Sequence, residues 1–221
     1  MNEEAGNTAV ADLGEDNALF AATDVTSEES VAAAVDATMK KFGAIHVNIN
    51  CAGVPAPCKV LDREGKATAL KKFALVVNVN LVGLFNVMSK CAEKMALNEP
   101  QGEEERGVVI NVSSGAAFEG QIGQNAYSAS KSGVLGLNMP AARELGDLGI
   151  RVNAICPGLF LTPMVQALDT KVLDVLKKIP EAPRRPGHMQ EFAHCCVFLV
   201  ENSYMNGRSI RLDAATVMPA K

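Results

Sequence analysis

The chain has 221 residues, 48% of them hydrophobic and 21% charged, with a net charge of −4. That is enough for one α/β domain with a sizeable core, at the composition of an ordinary globular protein. The acidic balance offers nucleic acid no basic stripe, and Arg184-Arg185, flanked by prolines, reads as a solvated loop. Six cysteines (Cys51, Cys58, Cys91, Cys156, Cys195, Cys196) form no C-x-x-C pair and read as buried free thiols. The three histidines lack the H-E-x-x-H spacing, so no metal site is expected. No run approaches the length of a membrane span. Met1-Asn2-Glu3-Glu4 is acidic, unlike a signal or transit peptide.

In chain order, Leu19-Phe20-Ala21-Ala22 reads as a short strand entering the turn Thr23-Asp24-Val25-Thr26. Thr26 with Glu29 fits a capping box and Gly43 a C-cap, with Val31, Val35, Met39 and Phe42 at helical spacing between them. Ile45 to Asn50 reads as a strand ended by Cys51-Ala52-Gly53. A punctuated loop, Pro55 to Lys66, precedes a long apolar helix from Leu70 to Met95. Asn98 to Gly107 is an acidic loop, and Val108 to Val112 a buried strand by its β-branched run. A helix runs through Tyr127 to Leu145, and Ile150 to Ile155 is a strand ended by Pro157-Gly158. After a Pro-rich excursion from Thr162 to Gly187, a helix from Gln190 to Val200 leads to the last strand, Ser209 to Leu212. The alternation predicts a single α/β domain, a doubly wound parallel sheet of Rossmann-like type. Ligands of such sheets collect at the carboxyl ends of the strands, where Asp24, Cys51-Ala52-Gly53, Ser113-Ser114 and Pro157-Gly158 fall.

Tyr127 and Lys131 are four apart on a predicted helix, so their side chains share a face. An ammonium beside a phenol favours the phenolate, and such a tyrosine exchanges a proton with an alcohol or a carbonyl near neutral pH. Alone, Y-x-x-x-K is chance helix surface in most sequences. Ser114, just past a buried strand, could hold the reacting oxygen; its bland reading is a turn cap. Asn80, polar in an apolar helix, is either a satisfied core amide or the opening for a proton-carrying water.

Asn50-Cys51-Ala52-Gly53, Val79-Asn80-Leu81, Ser114, Tyr127-x-x-x-Lys131 and Pro157-Gly158 with Thr162 resemble, in order, the motif series of the short-chain dehydrogenase/reductase family. Ala22 to Ser27, Arg106 to Asn111, Ala117 to Gln121, Tyr127 to Lys131, Pro157 to Phe160 and Ile210 to Asp213 look most like its type-2 3-hydroxyacyl-CoA dehydrogenase branch, also called type-10 17β-hydroxysteroid dehydrogenases. The resemblance implies Tyr127 as general acid/base, with Lys131 lowering its pKa and holding the nicotinamide ribose. It implies Ser114 as substrate-oxygen holder, Asn80 as anchor of the relay water and Gln124 as a substrate-side residue. Asp24 and Val25 would contact adenine, and Asn50, Cys51, Ala52 and Gly53 would line the adenosine ribose. Pro157, Gly158, Phe160 and Thr162 would lie against the nicotinamide half of NAD. Residues 163–187 resemble the family's mobile substrate loop.

The family's opening strand, T-G-x-x-x-G-x-G turn, helix and second strand, roughly 30–40 residues in extent, have no counterpart here. Gly115, Gly120 and Gly123 have the wrong spacing to replace the turn. The expectation is therefore an N-terminally truncated domain with impaired NAD binding, since the glycine turn holds the pyrophosphate. In sheet order 3-2-1-4-5-6 the absent strands would separate the Phe20 and Val47 strands, which should either collapse together or leave the Leu19 to Lys41 unit poorly docked. Two readings follow. One is an NAD-dependent, mitochondrial, homotetrameric oxidoreductase converting a secondary alcohol such as 3-hydroxyacyl-CoA to a ketone, in fatty acid or branched-chain amino acid breakdown. The alternative is a non-catalytic subunit or scaffold that joins full-length dehydrogenase subunits.

Overall fold

In a computed structural model the chain is described at residues 2–162, 165 and 176–220. Four parallel strands, β1 (Val47–Asn50), β2 (Gly107–Val112), β3 (Ile150–Pro157) and β4 (Ser209–Leu212), lie side by side in chain order. Parallel neighbours need crossovers, and helices supply them. Among the described residues the named α-helices are α1 (Glu3–Leu13), α2 (Glu28–Phe42), α3 (Leu70–Val77), α4 (Gly83–Met95), α5 (Asn125–Gly146) and α6 (Met189–Glu201). The α/β, Rossmann-like parallel sheet expected from the sequence is what forms.

The two faces of the sheet follow from strand alternation. Val109 and Val152 point to one face, where they pack with Val31, Val35, Met88, Cys91, Ala92, Met95 and Ala142 from α2, α4 and α5. Val108, Ile110 and Ile155 point to the other, under Cys196 and Leu199 of α6. Each valine, isoleucine, leucine or methionine so removed from water stabilises the fold by about 1.5–3 kcal/mol. This sandwich is why β2 and β3 read as continuous apolar runs.

Several local expectations are corrected. Leu19 to Ala22 has no regular secondary structure and pairs with no strand among the described residues. Instead the Lys41 ammonium takes the Ala18 carbonyl at 2.9 Å, and Phe20 lies against Gly6. Neither foreseen outcome for this region holds, because α2 docks on the core through Val31 and Val35. Ser27, not Thr26, caps α2: its hydroxyl accepts from the Ser30 amide at 3.1 Å, while Thr26 donates twice to the Asp24 carboxylate. Gly43 ends α2 in the left-handed region, as expected. Glu3 to Leu13 forms a helix capped by Asn2 that buries none of its own residues.

The Leu70 to Met95 stretch is not one uniform helix; it widens to a π-turn at Asn78–Val82 between α3 and α4. By length and hydropathy these 26 residues could cross a membrane, contrary to the sequence expectation. Their inner face nevertheless belongs to the domain, with Val76, Leu84, Met88 and Met95 buried. The hydropathy comes from a second apolar set on the outer face: Leu70, Leu75, Val82 and Phe85 are exposed. Among the cysteines, Cys51 is exposed and Cys195 half-buried, so only the other four fit the buried-thiol reading.

Candidate active site

The carboxyl ends of β1, β2 and β3 converge on one face of α5. Ser113 donates to the Lys131 backbone carbonyl at 2.8 Å and pins α5 to the end of β2. Lys131 is buried, and its Nζ donates to the Val112 carbonyl at 2.8 Å. Burial pushes the amine down to about 8, partly opposed by the nearby Cys51 and Cys156 thiols. Its Nζ stands 5.9 Å from the centre of the half-buried Tyr127 ring, so the two side chains do share a face of the helix.

Asn80 is fully buried inside the π-turn. Its Oδ1 accepts from the Val54 amide at 2.7 Å, and its Nδ2 donates to the Val54 carbonyl and to Ser130 Oγ, each at 3.1 Å. Ser130 in turn donates to the Tyr127 carbonyl at 2.7 Å. A continuous hydrogen-bonded path therefore joins the loop after β1, the π-turn and the tyrosine. Both readings of Asn80 meet here: the amide is satisfied, and it sits in a widened turn that leaves ordinary helical bonding broken. Gly53 closes the group. A Cβ there would stand 3.2 Å from Asn80 Oδ1, tight enough to press on the amide, and 3.5 Å from Lys131 Nζ, so the Gly53 backbone runs directly beside both groups.

Ser114 follows β2 in extended conformation, and its Oγ accepts from the Ala116 amide at 3.1 Å, capping the 3₁₀ turn Gly115–Ala117. The cap occupies a lone pair and leaves the hydroxyl proton free to donate. Gln124 precedes α5, with its Oε1 held by the Gln121 amide at 2.9 Å.

The residues implied as cofactor contacts divide. Cys51, Ala52 and Gly53 are exposed at the end of β1. Asn50 is buried and donates to Asn111 Oδ1 and Asn48 Oδ1, a structural amide cluster that turns its side chain into the sheet. Val25 packs on Gly83, and the exposed Asp24 carboxylate is drawn to low pKa by the Thr26 hydroxyl and amide. Gly158 packs against Asp213, and Pro157 ends β3. Phe160 stands edge-on to Phe192 with ring centres 6.0 Å apart, so its ring is committed to α6. Thr162 Oγ1 accepts from Val165 at 3.4 Å. Of the 163–187 excursion, residues 163–164 and 166–175 lie outside the described set. The sequence places Ser113 at a strand end without a role of its own and assigns Ser130 none, although Ser130, three residues after Tyr127 on the same helix face, carries the signal.

A cavity of about 660 Å³ lies elsewhere, at the amino ends of the strands beside His46, Glu105, Gly149 and Arg151. Its walls hold none of the residues just described. Tyr127, Lys131 and Ser114 lie at the opposite end of the sheet, the end where α/β folds place their ligands.

A parallel sheet with a serine at its carboxyl edge and a tyrosine and a lysine on the helix beside it is of the Rossmann-like class, with groups able to exchange a proton with an alcohol or a carbonyl. The comparisons narrow that class. The family model described as "short chain dehydrogenase" matches residues 1–173. The 3-hydroxyacyl-CoA dehydrogenase type-2 of Bos taurus is 46% identical over 214 residues, covering 96% of this chain and 82% of the relative. A 3-oxoacyl-[acyl-carrier-protein] reductase of Thermotoga maritima is 34% identical over 200 residues, covering 88% and 75%. The crystal structure of 3-hydroxyacyl-CoA dehydrogenase type-2 from Mycobacterium avium superposes with a TM-score of 0.90 at 37% identity, covering 99% of this chain and 84% of that one. The chain belongs to the short-chain dehydrogenase family and is an oxidoreductase of it.

Proposed function

We propose that the chain interconverts a secondary alcohol and a ketone, with a 3-hydroxyacyl-CoA thioester as the substrate class and NAD as the cofactor. The observation that carries the reading is the joined arrangement of Tyr127, Lys131, Asn80 and Gly53. In it the Tyr127 hydroxyl takes the proton of the substrate alcohol, or returns it to the ketone. Ser114, whose proton is free, holds the same oxygen. The Lys131 ammonium favours the phenolate through charge, and its own proton is shared with the Val112 carbonyl. Asn80 holds the loop after β1 in place and keeps the π-turn open for a relay water.

A nicotinamide cofactor supplies, when bound, the acceptor for the hydride of the carbinol carbon. For its nicotinamide-ribose half the described residues offer Lys131, an amine able to donate to ribose hydroxyls; Gly53, expected at the adenosine ribose, runs beside that amine. They contain no glycine-rich turn leading into a helix, the usual hold on a pyrophosphate, so weak affinity for NAD is part of the proposal. The exposed Leu70, Leu75, Val82 and Phe85 offer a face for self-association, and a homo-oligomer is proposed on it. Mitochondrial residence is proposed from the kinship alone, and fractionation of cells expressing the tagged protein tests it.

The deciding experiment is NAD titration with 3-hydroxyacyl-CoA oxidation. Tyr127→Phe should abolish turnover with cofactor affinity little changed. Retained turnover in that variant would remove Tyr127 from its role. A soluble chain without turnover that co-purifies with a catalytically competent dehydrogenase subunit would favour the non-catalytic reading instead.

A further inference from the structure

Arg211 on β4 gathers three chain segments around one guanidinium. Its Nη1 and Nη2 fork onto the two carboxylate oxygens of Glu119 at 2.7 and 3.0 Å. Its Nε donates to Asp213 Oδ2 at 2.6 Å, and Nη2 also donates to the Thr216 carbonyl at 2.9 Å. The same group stands 5.1 Å from the centre of the Phe118 ring. Forked, charge-assisted bonds of this kind are the strong ones. Lysine has no geometry to replace them.

What the guanidinium holds is strained. Ala214 and Ala215 both adopt positive φ, 51° and 55°. For alanine that conformation costs roughly 1–2 kcal/mol per residue. Arg211 grips both ends of this turn, at the Asp213 carboxylate and the Thr216 carbonyl, and the Thr216 amide closes it onto the Asp213 carbonyl at 3.0 Å. The strained turn then does two things. The Ala214 carbonyl accepts the amides of Glu181 at 3.0 Å and Ala182 at 3.3 Å. Asp213 packs on Gly158 at the end of β3. On the other side Glu119 belongs to the turn that begins at Ser114. That turn keeps its own supports, the Ser114 cap and the bond from Ser132 to the Ala117 carbonyl at 2.7 Å.

We propose that Arg211 is a positioning residue, which holds the strained Asp213–Thr216 turn, and with it the Glu181-Ala182 segment, against the Ser114 turn, where the substrate oxygen is held. It rests on the alcohol–ketone reading for its kinetic consequence, but its structural half does not. Removing the guanidinium releases the turn and the amides docked on Ala214, while Ser114, separately braced, stays in place. Substrate binding should therefore suffer more than the chemical step.

Hydrogen exchange on the whole chain tests the structural half without any activity. In Arg211→Met the amides of Glu181, Ala182 and Thr216 should exchange at least about tenfold faster, the scale of one lost charge-assisted hydrogen bond. Val109 and Val152 in the central strands should be unchanged. Glu119→Gln leaves the bonds to Asp213 and Thr216 intact and should keep Glu181 and Ala182 protected. If Arg211→Met loses protection throughout, Arg211→Lys, which keeps a donor, should show the same local pattern. Unchanged exchange at Glu181, Ala182 and Thr216 in a folded variant overturns the proposal. In turnover, Arg211→Met should raise KM for the acyl substrate about tenfold with kcat within about twofold. An equal fall in kcat and kcat/KM at constant KM overturns the substrate-side half. An inactive wild-type chain with the exchange pattern present would sink the functional reading and leave the clamp standing.

Discussion

Lys131→Met should make the protein more stable at neutral pH while abolishing turnover. The lysine is buried, and burial lowers its pKa from 10.5 to about 8. Each pKa unit is about 1.36 kcal/mol, so keeping this ammonium charged in the folded state costs about 3 kcal/mol. Methionine fills similar space without the charge, but leaves the Val112 carbonyl short of its partner, a loss of about 1–2 kcal/mol. The net gain should be about 1–2 kcal/mol at neutral pH. The sign with pH is opposite to that of a lysine gaining a partner. Below pH 8 the amine is charged in both states and the penalty is constant. Between pH 8 and 10.5 the unfolded chain binds the extra proton, so wild-type stability rises relative to the variant and levels off above 10.5. Urea melts of both proteins across that range, compared as a difference, cancel the other titrating groups. A difference that is flat with pH, or a variant less stable at every pH, refutes the argument from burial.

Three further outcomes follow from particular contacts. Arg151, buried and paired with Glu105 at 2.7 Å, also donates to the Leu199, Val200 and Met205 carbonyls. Arg151→Met should destabilise by about 3–5 kcal/mol in chemical denaturation, because breaking a buried pair leaves its partners uncompensated; a loss under about 1 kcal/mol would show that these bonds matter little. Ala214→Gly should stabilise by about 0.5–1 kcal/mol, since glycine accepts positive φ without a Cβ clash, and a lowered melting temperature would contradict that. Ile49 is 42% exposed on β1, one of the two edge strands of the sheet. Ile49→Lys should reduce aggregation measured by light scattering, as a charge guards an open edge; unchanged aggregation would mean the edge is not the sticky surface.

Legibility in the sequence tracked how local the cause was. The strands around Val109 and Val152 could be read because both faces are buried, which demands β-branched runs whatever the neighbours. The Tyr127 and Lys131 pair could be read because helical spacing alone places them together. Leu19 to Ala22 has the composition of a strand, yet a strand exists only with a partner, and none lies alongside among the described residues. Thr26 reads as the helix cap from its spacing to Glu29, but the Asp24 carboxylate claims the threonine and Ser27 caps instead. The Arg211 clamp joins residues 92 positions apart in sequence, and no pattern within a window could reveal it.

The same distinction explains why the site is more informative than its motif. Spacing puts an amine near a phenol, but says nothing of what the amine costs. The fold buries Lys131 against the Val112 carbonyl, braces its backbone through Ser113, and brings the Cβ-less Gly53 to its side. A buried cation that merely filled space would be replaced without loss, since an apolar residue there is more stable. Its burial is intelligible as a requirement of proton chemistry, where charge acts more strongly away from water. Stability is given up at one residue, and the position of that residue is where Tyr127, Asn80 and the end of β1 meet.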